Sequence, residues 1–178
     1  MNEPHLRPFA AVPALAARAA ELLVMRTALP PLTADEARRI VAYMRLNEFP
    51  AGAVLFNEGE RSGTNYMLLL LEGRVAVGLI GGPDAEEVPI SELGAGNIIG
   101  EMALLDDEPR SAQCTALSPV IAAGLSRREL ERLFDEHPRL AAKLLAGLAQ
   151  RLGDRVRALS LQMQVYASRA AAAGLRPT

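Results

Sequence analysis

The middle of the chain, residues 49–125, is built from short apolar runs that are separated by glycines. The runs occupy residues 54–56, 66–71, 75–79, 88–93, 98–99 and 120–125. Short apolar runs bounded by turn residues at such spacing are typical of antiparallel strands. This pattern predicts a small antiparallel β-barrel or jelly roll.

Helical patterns precede the barrel region. Residues 14–46 are predicted to be helical, with Pro30-Pro31 ending one helix. The sequence Thr33-Ala34-Asp35-Glu36 has the pattern of a capping box and is expected to start the next helix. The predicted fold class is therefore α+β, a barrel flanked by N-terminal helices and a long C-terminal dimerisation helix.

The C-terminal part is predicted to hold two helices. The first starts at the capping-box pattern of residues 126–129, with Leu130, Leu133 and Phe134 expected to face inward, and His137-Pro138 ends it. The second runs to about residue 172 and carries an apolar seam at near-heptad spacing. The seam consists of Leu145, Leu148, Leu152, Val156, Leu159, Met163, Tyr166 and Ala170. Such a helix is too long for so small a barrel to cover, so we expect part of the seam to meet a second copy in a parallel homodimer. The alternative is that the seam packs only on its own barrel.

These patterns divide the chain into four predicted parts. They are an N-terminal helical segment (1–46), a barrel domain (47–136), a long C-terminal helix (137–172) and a disordered tail (173–178). No stretch approaches the ~20 apolar residues that a membrane span needs. We therefore expect a cytoplasmic protein with no membrane contact.

Composition excludes several classes of site. A single cysteine cannot form an internal disulfide, and with only two histidines no zinc site can be assembled from Cys and His alone. The net charge of −2 gives no global footprint for nucleic acid. Asp106-Asp107-Glu108 is interpreted as a solvated loop tip rather than a set of metal ligands, and Cys114 as a small buried side chain.

Residues 99–112 are the most informative segment about a binding or catalytic site. Gly100 permits a tight turn out of a strand, and the N–H groups of a helical turn after it would form an anion site. Arg110 carries five fixed donors suited to a phosphate, and Ser111 adds a hydroxyl. Glu101 would repel a phosphate, so its expected partner is a sugar hydroxyl on the same ligand, or Arg110 itself. A phosphate and a sugar hydroxyl on one small ligand describe a nucleotide.

The same segment resembles the phosphate-binding cassette of the cyclic nucleotide-binding domain family, which includes the catabolite activator proteins. The family pattern is Gly-Glu-x-Ala-Leu, a short loop, and Pro-Arg-Ser/Thr/Ala-Ala. Here it stands as Gly100-Glu101-Met102-Ala103-Leu104 and Pro109-Arg110-Ser111-Ala112. Residues 49–60 and 71–77 are similar to the first barrel strands and the central hairpin of the family. The DNA-binding domain of the bacterial transcription factors has no counterpart, so no direct DNA binding is expected.

The resemblance implies a role for each residue of the cassette. Glu101 would accept the ribose 2′-hydroxyl and Arg110 would pair with the exocyclic phosphate oxygens of cyclic AMP or cyclic GMP. The candidate ligand-binding residues are Gly100, Glu101, Met102, Ala103, Leu104, Arg110, Ser111 and Ala112. The backbone amides of Ala103 and Leu104, with Ser111, would complete the phosphate cradle. Arg155 and Val156 stand where the long helix of the family reaches the base, but they do not reproduce its Thr-Ser pair, which leaves the base open.

Three hypotheses of different class follow. The first is a cyclic nucleotide sensor, most simply for cyclic AMP, that needs no cofactor and signals through its C-terminal helix to an unknown downstream protein. The second is a ligand-free dimeric interaction module that keeps the fold. The third, a metal-dependent enzyme on a cupin-type barrel, is disfavoured because residues 49–125 contain no histidine.

Overall fold

The structure is a computed structural model that describes residues 7–9, 12–25, 32–61, 65–80, 87–106 and 108–172. The helices are α1 (Pro13–Met25), α2 (Ala34–Val41), α3 (Glu101–Leu105), α4 (Arg127–Glu136) and α5 (Pro138–Ala172). The strands are β1 (Arg7–Pro8), β2 (Arg45–Phe49), β3 (Val54–Phe56), β4 (Tyr66–Glu72), β5 (Val75–Ile80), β6 (Glu87–Leu93), β7 (Ile98–Ile99), β8 (Gln113–Ala116) and β9 (Val120–Ser126). The tail predicted at 173–178 lies outside the described residues, as does Asp107.

The strands form two antiparallel sheets. One has the order β1-β2-β9-β4-β7 and the other β3-β8-β5-β6. In the first sheet, Leu68 of β4 pairs with Gly124 of β9 and Leu69 pairs with Ala123. This architecture, with the long helix α5 after it, confirms the predicted α+β class.

Strand β4 shows why the central apolar run contains no polar residue. Leu68 and Leu70 pack into a core that draws residues from both sheets. Met67, Leu69 and Leu71 point to the opposite face and join a second core with the helices. Because successive side chains of a strand alternate between faces, a strand covered on both sides must be apolar throughout.

The helices pack as a layer on the outer face of the first sheet, and polar contacts join them. The capping box at Thr33 is confirmed, since the Thr33 hydroxyl accepts from the Glu36 N–H at 3.2 Å and the Glu36 carboxylate accepts from the Thr33 N–H at 2.9 Å. Glu36 also pairs with Lys143 of α5 at 2.7 Å, and Tyr43 donates to the Glu136 carboxylate of α4. Among the described helices, none has the length and apolar character needed to cross a membrane.

Two local predictions were wrong. The helical pattern assigned to residues 14–46 ends earlier, because Arg45–Phe49 is strand β2, paired with β9 along its full length. Because β2 contains Arg45, Asn47 and Glu48, a search of the sequence for apolar runs does not identify it as a strand. Phe134 was expected to face inward but is 39% exposed, while Leu130 and Leu133 of the same helix are buried. The spacing of four residues does place Phe134 on the same face of α4 as Leu130, but its side chain lies at the exposed edge of that face.

Candidate functional site

The site begins where strand β7 turns into the short helix α3. Gly100 lies at that turn with φ +72°, a left-handed conformation that side chains other than glycine rarely adopt. A Cβ at Gly100 would also collide with Nη1 of Arg110 and lie 2.9 Å from the Phe56 ring. Glycine is therefore required both by the backbone and by the close approach of Arg110.

Arg110 is the centre of the site and is only 4% exposed. Its Nη1 donates to the carbonyl of Gly100 at 2.9 Å and its Nη2 donates to the carbonyl of Tyr66 at 2.8 Å. The guanidinium carbon lies 3.7 Å from the centroid of the Phe56 ring and 5.0 Å from that of Tyr66. Two carbonyls and two aromatic rings thus fix the orientation of the guanidinium.

The electrostatics of Arg110 favour the binding of an anion. No residue in the described part of the chain forms an ion pair with Arg110, and its buried Nε atom has no hydrogen-bond partner there. Burial lowers the pKa of Arg110, against the opposing influence of Tyr66, Cys114, Glu60 and Glu101. A buried cation without a counter-ion is costly, and an anionic ligand would offset that cost.

Glu101 carries the second charge of the site. It is 7% exposed and lies at the start of α3, where a carboxylate is favoured by the helix dipole. Its Oε1 lies 3.7 Å from Nη1 of Arg155, which reaches it from α5. Among the described residues, Glu101 therefore pairs with Arg155 and not with Arg110, so the two proposed ligand groups are not tied to each other.

Two adjoining cavities meet at this site. The inner one, of about 40 Å³, is lined by Phe56, Val77 and Cys114 of the barrel and by residues of the cassette. Arg155 of α5 also lines the inner cavity, and the cassette residues that line it include Gly100, Glu101, Met102, Ala103, Arg110, Ser111 and Ala112. The outer one, of about 460 Å³, lies between the barrel and α5 and shares Glu101 and Arg155 with the inner one. The outer volume is in the range of small-molecule sites, whereas the inner cavity has room for only a small group.

The structure does not bring every candidate residue to the cavities. Leu104 is buried in the core beneath the helices and lines neither cavity. Val156 is 61% exposed and lines neither cavity. Ser111 is exposed, and its hydroxyl donates to the Met102 sulfur at 3.9 Å. The described residues include no group that could hold a metal ion, and Cys114 is buried as predicted.

Several residues at the site were missed by sequence reasoning. Phe56 and Tyr66 flank Arg110 but lie far from the cassette in sequence, where they look like ordinary core residues. Arg151 and Gln162 line the outer cavity together with Arg155. The helical spacing of four and seven residues from Arg155 places them on its face of α5, and that spacing could have identified them.

Comparison with known proteins gives consistent matches. The family model described as "Cyclic nucleotide-binding domain" matches residues 46–137. A CRP-like cAMP-activated global transcriptional regulator of Mycobacterium tuberculosis is 30% identical over 105 residues, 59% of this chain and 46% of the regulator. A cyclic nucleotide-gated potassium channel of Rhizobium etli is 37% identical over 114 residues, 64% of this chain and 30% of the channel. The chain thus spans less than half the length of either relative. A solved cyclic nucleotide-binding domain from Methylobacillus flagellatus has a TM-score of 0.72 and 34% identity, covering 80% of this chain and 78% of that one.

Proposed function

This chain belongs to the cyclic nucleotide-binding domain family, and from that premise we propose that it is a regulatory module that binds cyclic AMP at residues 100–112 and signals through α5. The observation that carries the proposal is the buried guanidinium of Arg110, which has no ion-pair partner among the described residues and lines the inner cavity. The name of the M. tuberculosis relative, a cAMP-activated regulator, supports cyclic AMP as the ligand.

Arg110 is the proposed phosphate ligand. A guanidinium has five N–H groups, and two of them donate to the carbonyls of Gly100 and Tyr66. Those two bonds hold the guanidinium in place, so that the second N–H of Nη1 and of Nη2 can be directed at the exocyclic oxygens of a cyclic phosphate. Pre-orientation of this kind reduces the entropy lost when a ligand binds.

The other roles follow from position. Glu101 would accept the ribose 2′-hydroxyl, with Arg155 beside it to reduce the repulsion between this carboxylate and the ligand phosphate. Gly100 would permit close approach of the ligand to the backbone. Ala103 lines the inner cavity and would offer its amide there, while Met102, Ser111 and Ala112 would form the walls.

The outer cavity is the proposed site of the base. Arg151, Arg155, Leu159 and Gln162 line it from one face of α5. An arginine can stack on a purine, and Gln162 can donate to or accept from its edge. We therefore assign the base contact to Arg155 rather than to the exposed Val156.

A ligand-free interaction module is the second candidate. It is favoured by the small volume of the inner cavity and by Arg155, which lies next to the Glu101 carboxylate that a ribose would need. The two candidates differ in what Arg110 does, because an interaction module would keep this residue only for packing.

The test is titration calorimetry with cyclic AMP and cyclic GMP on the parent protein, Arg110→Met and the control Arg74→Met. Arg74 is 63% exposed and pairs with Glu92, away from the cavities. We expect micromolar binding by the parent and by the control, and loss of at least about a hundredfold in affinity for Arg110→Met, equivalent to ~2.7 kcal/mol.

Stability measurements complete the test. Without ligand, the unfolding temperature of Arg110→Met should stay close to that of the parent, because removal of the buried cation is offset by loss of its hydrogen bonds to the carbonyls of Gly100 and Tyr66. Absence of binding by the parent at about 1 mM of either nucleotide would refute the sensor and favour the interaction module. Equal binding by Arg110→Met and the parent would refute the assigned phosphate site.

A further inference from the structure

Arg127, the first residue of α4, contacts the end of the cassette helix α3. Its Nη2 donates to the carbonyl of Ala103 at 3.3 Å and also to the carbonyl of Asp106, and its Nε donates to the carbonyl of Leu104 at 3.3 Å. The last carbonyls of a helix have no partner within the helix. A single guanidinium therefore supplies donors to three carbonyls at the C-terminal end of α3.

The position of Arg127 is not explained by the stability of α4. The N-terminal end of a helix is its positive pole, where acidic side chains are favoured and cations are not. The helix nonetheless begins with Arg127 and Arg128, and its capping need is met by Ser126, whose hydroxyl accepts from the N–H of Glu129 at 3.3 Å. Arg128 is exposed, whereas the guanidinium of Arg127 crosses to α3.

The length of α3 makes these contacts decisive for its position. A helix of five residues has little stability of its own, so contacts at its ends determine where it lies. At the N-terminal end, Arg110 donates to the carbonyl of Gly100. At the C-terminal end, Arg127 holds the final turn. If a ligand at the N-terminal end displaces α3, the hydrogen bonds from Arg127 at the C-terminal end must therefore either be strained or move Arg127 with the helix.

We propose that Arg127 is a positioning residue that couples α3 to α4, so that a movement of the cassette on ligand binding is passed to the C-terminal helices. This inference rests on the proposed function. A coupling residue of this kind acts without touching the ligand, through the element that both it and the ligand contact. The path continues into α5, which follows α4 after His137 and reaches back to Glu101 through Arg155.

The test uses a fluorescent reporter on α4. The chain contains no tryptophan, so Phe134→Trp, at an exposed position of that helix, gives a single tryptophan that can be excited selectively over the three tyrosines. In this background we compare Arg127→Gln, Arg127→Lys and the matched control Arg128→Gln, which removes the same charge from the neighbouring position. Cyclic AMP affinity is measured by calorimetry, and the ligand-induced change in tryptophan emission is measured at saturation.

We expect the reporter protein and the Arg128→Gln control to bind cyclic AMP and to show the same emission change. Arg127→Gln should still bind, with affinity reduced between about 2-fold and about 30-fold, but without the emission change. Arg127→Lys keeps the charge but not the planar fork, so its emission change should be intermediate. Hydrogen exchange of residues 101–105 without ligand should be faster in Arg127→Gln than in Arg128→Gln, because the end of α3 is released.

The outcomes separate the two proposals. Absence of binding by the reporter protein would refute the proposed function and this inference with it. Binding together with a full emission change in Arg127→Gln would refute the coupling role alone. The same holds if the reporter protein binds without any emission change, or if hydrogen exchange in α3 is equal in Arg127→Gln and Arg128→Gln.

Discussion

Arg110 shows how a single residue can be retained for binding at a cost in stability. The fold places its guanidinium between two aromatic rings and two carbonyls, and no described residue supplies a counter-ion. Burying a charge in this way is unfavourable unless something neutralises it. Binding sites commonly carry such costs, since the groups that suit a ligand are not those that suit the empty protein. The buried charge and the affinity for an anion are therefore two consequences of one arrangement.

Gly100 offers a test of that arrangement through a matched pair of substitutions. Gly100→Ala and Gly52→Ala introduce the same methyl group at similar φ values, +72° and +80°. Each should lose about 1–2 kcal/mol of unfolding free energy from left-handed backbone strain. Only at Gly100 would the methyl also meet Arg110 and Phe56, because nothing lies within 4 Å of a Cβ at the Gly52 position. Gly100→Ala should therefore lose more stability and weaken cyclic AMP binding by at least about tenfold, or ~1.4 kcal/mol.

Urea unfolding and calorimetry measure both quantities. Gly52→Ala should bind cyclic AMP as the parent does, because Gly52 lies in the turn between β2 and β3 and lines neither cavity. If the two variants were equal in stability and in affinity, the close approach of Arg110 to Gly100 would contribute to neither folding nor binding.

At the level of residues, the candidate site could be predicted where its residues lie close together in the sequence. Gly100, Glu101 and Arg110 lie within eleven positions of one another, and their types alone suggested an anion and a sugar hydroxyl. Phe56 and Tyr66 could not be predicted as partners of Arg110, because only the pairing of strands brings them beside it. The role of each residue toward a ligand stays a prediction.

At the scale of elements, the strands that sequence patterns identified are those with their own apolar run. Strand β4 is covered on both faces and was evident for that reason. Strand β2 has polar residues at three of its five positions, and its first residues were assigned to a helix. A strand of this kind is stabilised by hydrogen bonds and packing from neighbouring strands and helices, and a short stretch of sequence does not contain that information.

The contact between α2 and α5 gives a prediction about pH. The hydrogen bond from Lys143 is the main cause that lowers the pKa of Glu36 below its usual value of 4.5. A carboxyl whose pKa is lowered by folding stabilises the folded state above the unfolded-state pKa, and this contribution is lost as the pH falls through the folded-state pKa. Glu36→Gln keeps a side chain that can serve the capping box but removes the charge.

Thermal unfolding of the parent and Glu36→Gln should therefore differ at neutral pH and converge in acid. At neutral pH we expect the variant to melt about 1–3 °C lower, as for a partly exposed ion pair. Asp35→Asn is the control, because Asp35 pairs only with neighbours on its own helix, Arg38 and Arg39, among the described residues. A gap between parent and Glu36→Gln that stayed constant below pH 4.5 would show that the Lys143 contact does not act through charge.

At the scale of the whole molecule, the barrel covers only part of α5. Leu148 is buried and Leu145 and Leu152 are partly buried, so the first half of the predicted seam packs on the chain itself. Val156, Leu159 and Met163 continue the same stripe but are 61%, 44% and 72% exposed. The side chains of Tyr166 and Ala170 lie outside the described part of the helix. A stripe that is covered in one half and bare in the other is the pattern expected for a helix shared between two copies.

The homodimer can be tested with two substitutions that place a glutamate on different faces of α5. In a symmetric parallel pair, Met163 would lie opposite its own copy, so Met163→Glu would place two carboxylates together in an apolar interface. Val165 is 52% exposed and two positions further along, which puts it on the other side of the helix. Sedimentation equilibrium should find a dimer for the parent and for Val165→Glu, and a monomer for Met163→Glu. A parent that sediments as a monomer, or dissociation caused equally by both variants, would contradict the seam as the dimer interface, and α5 would then have to act on a different protein.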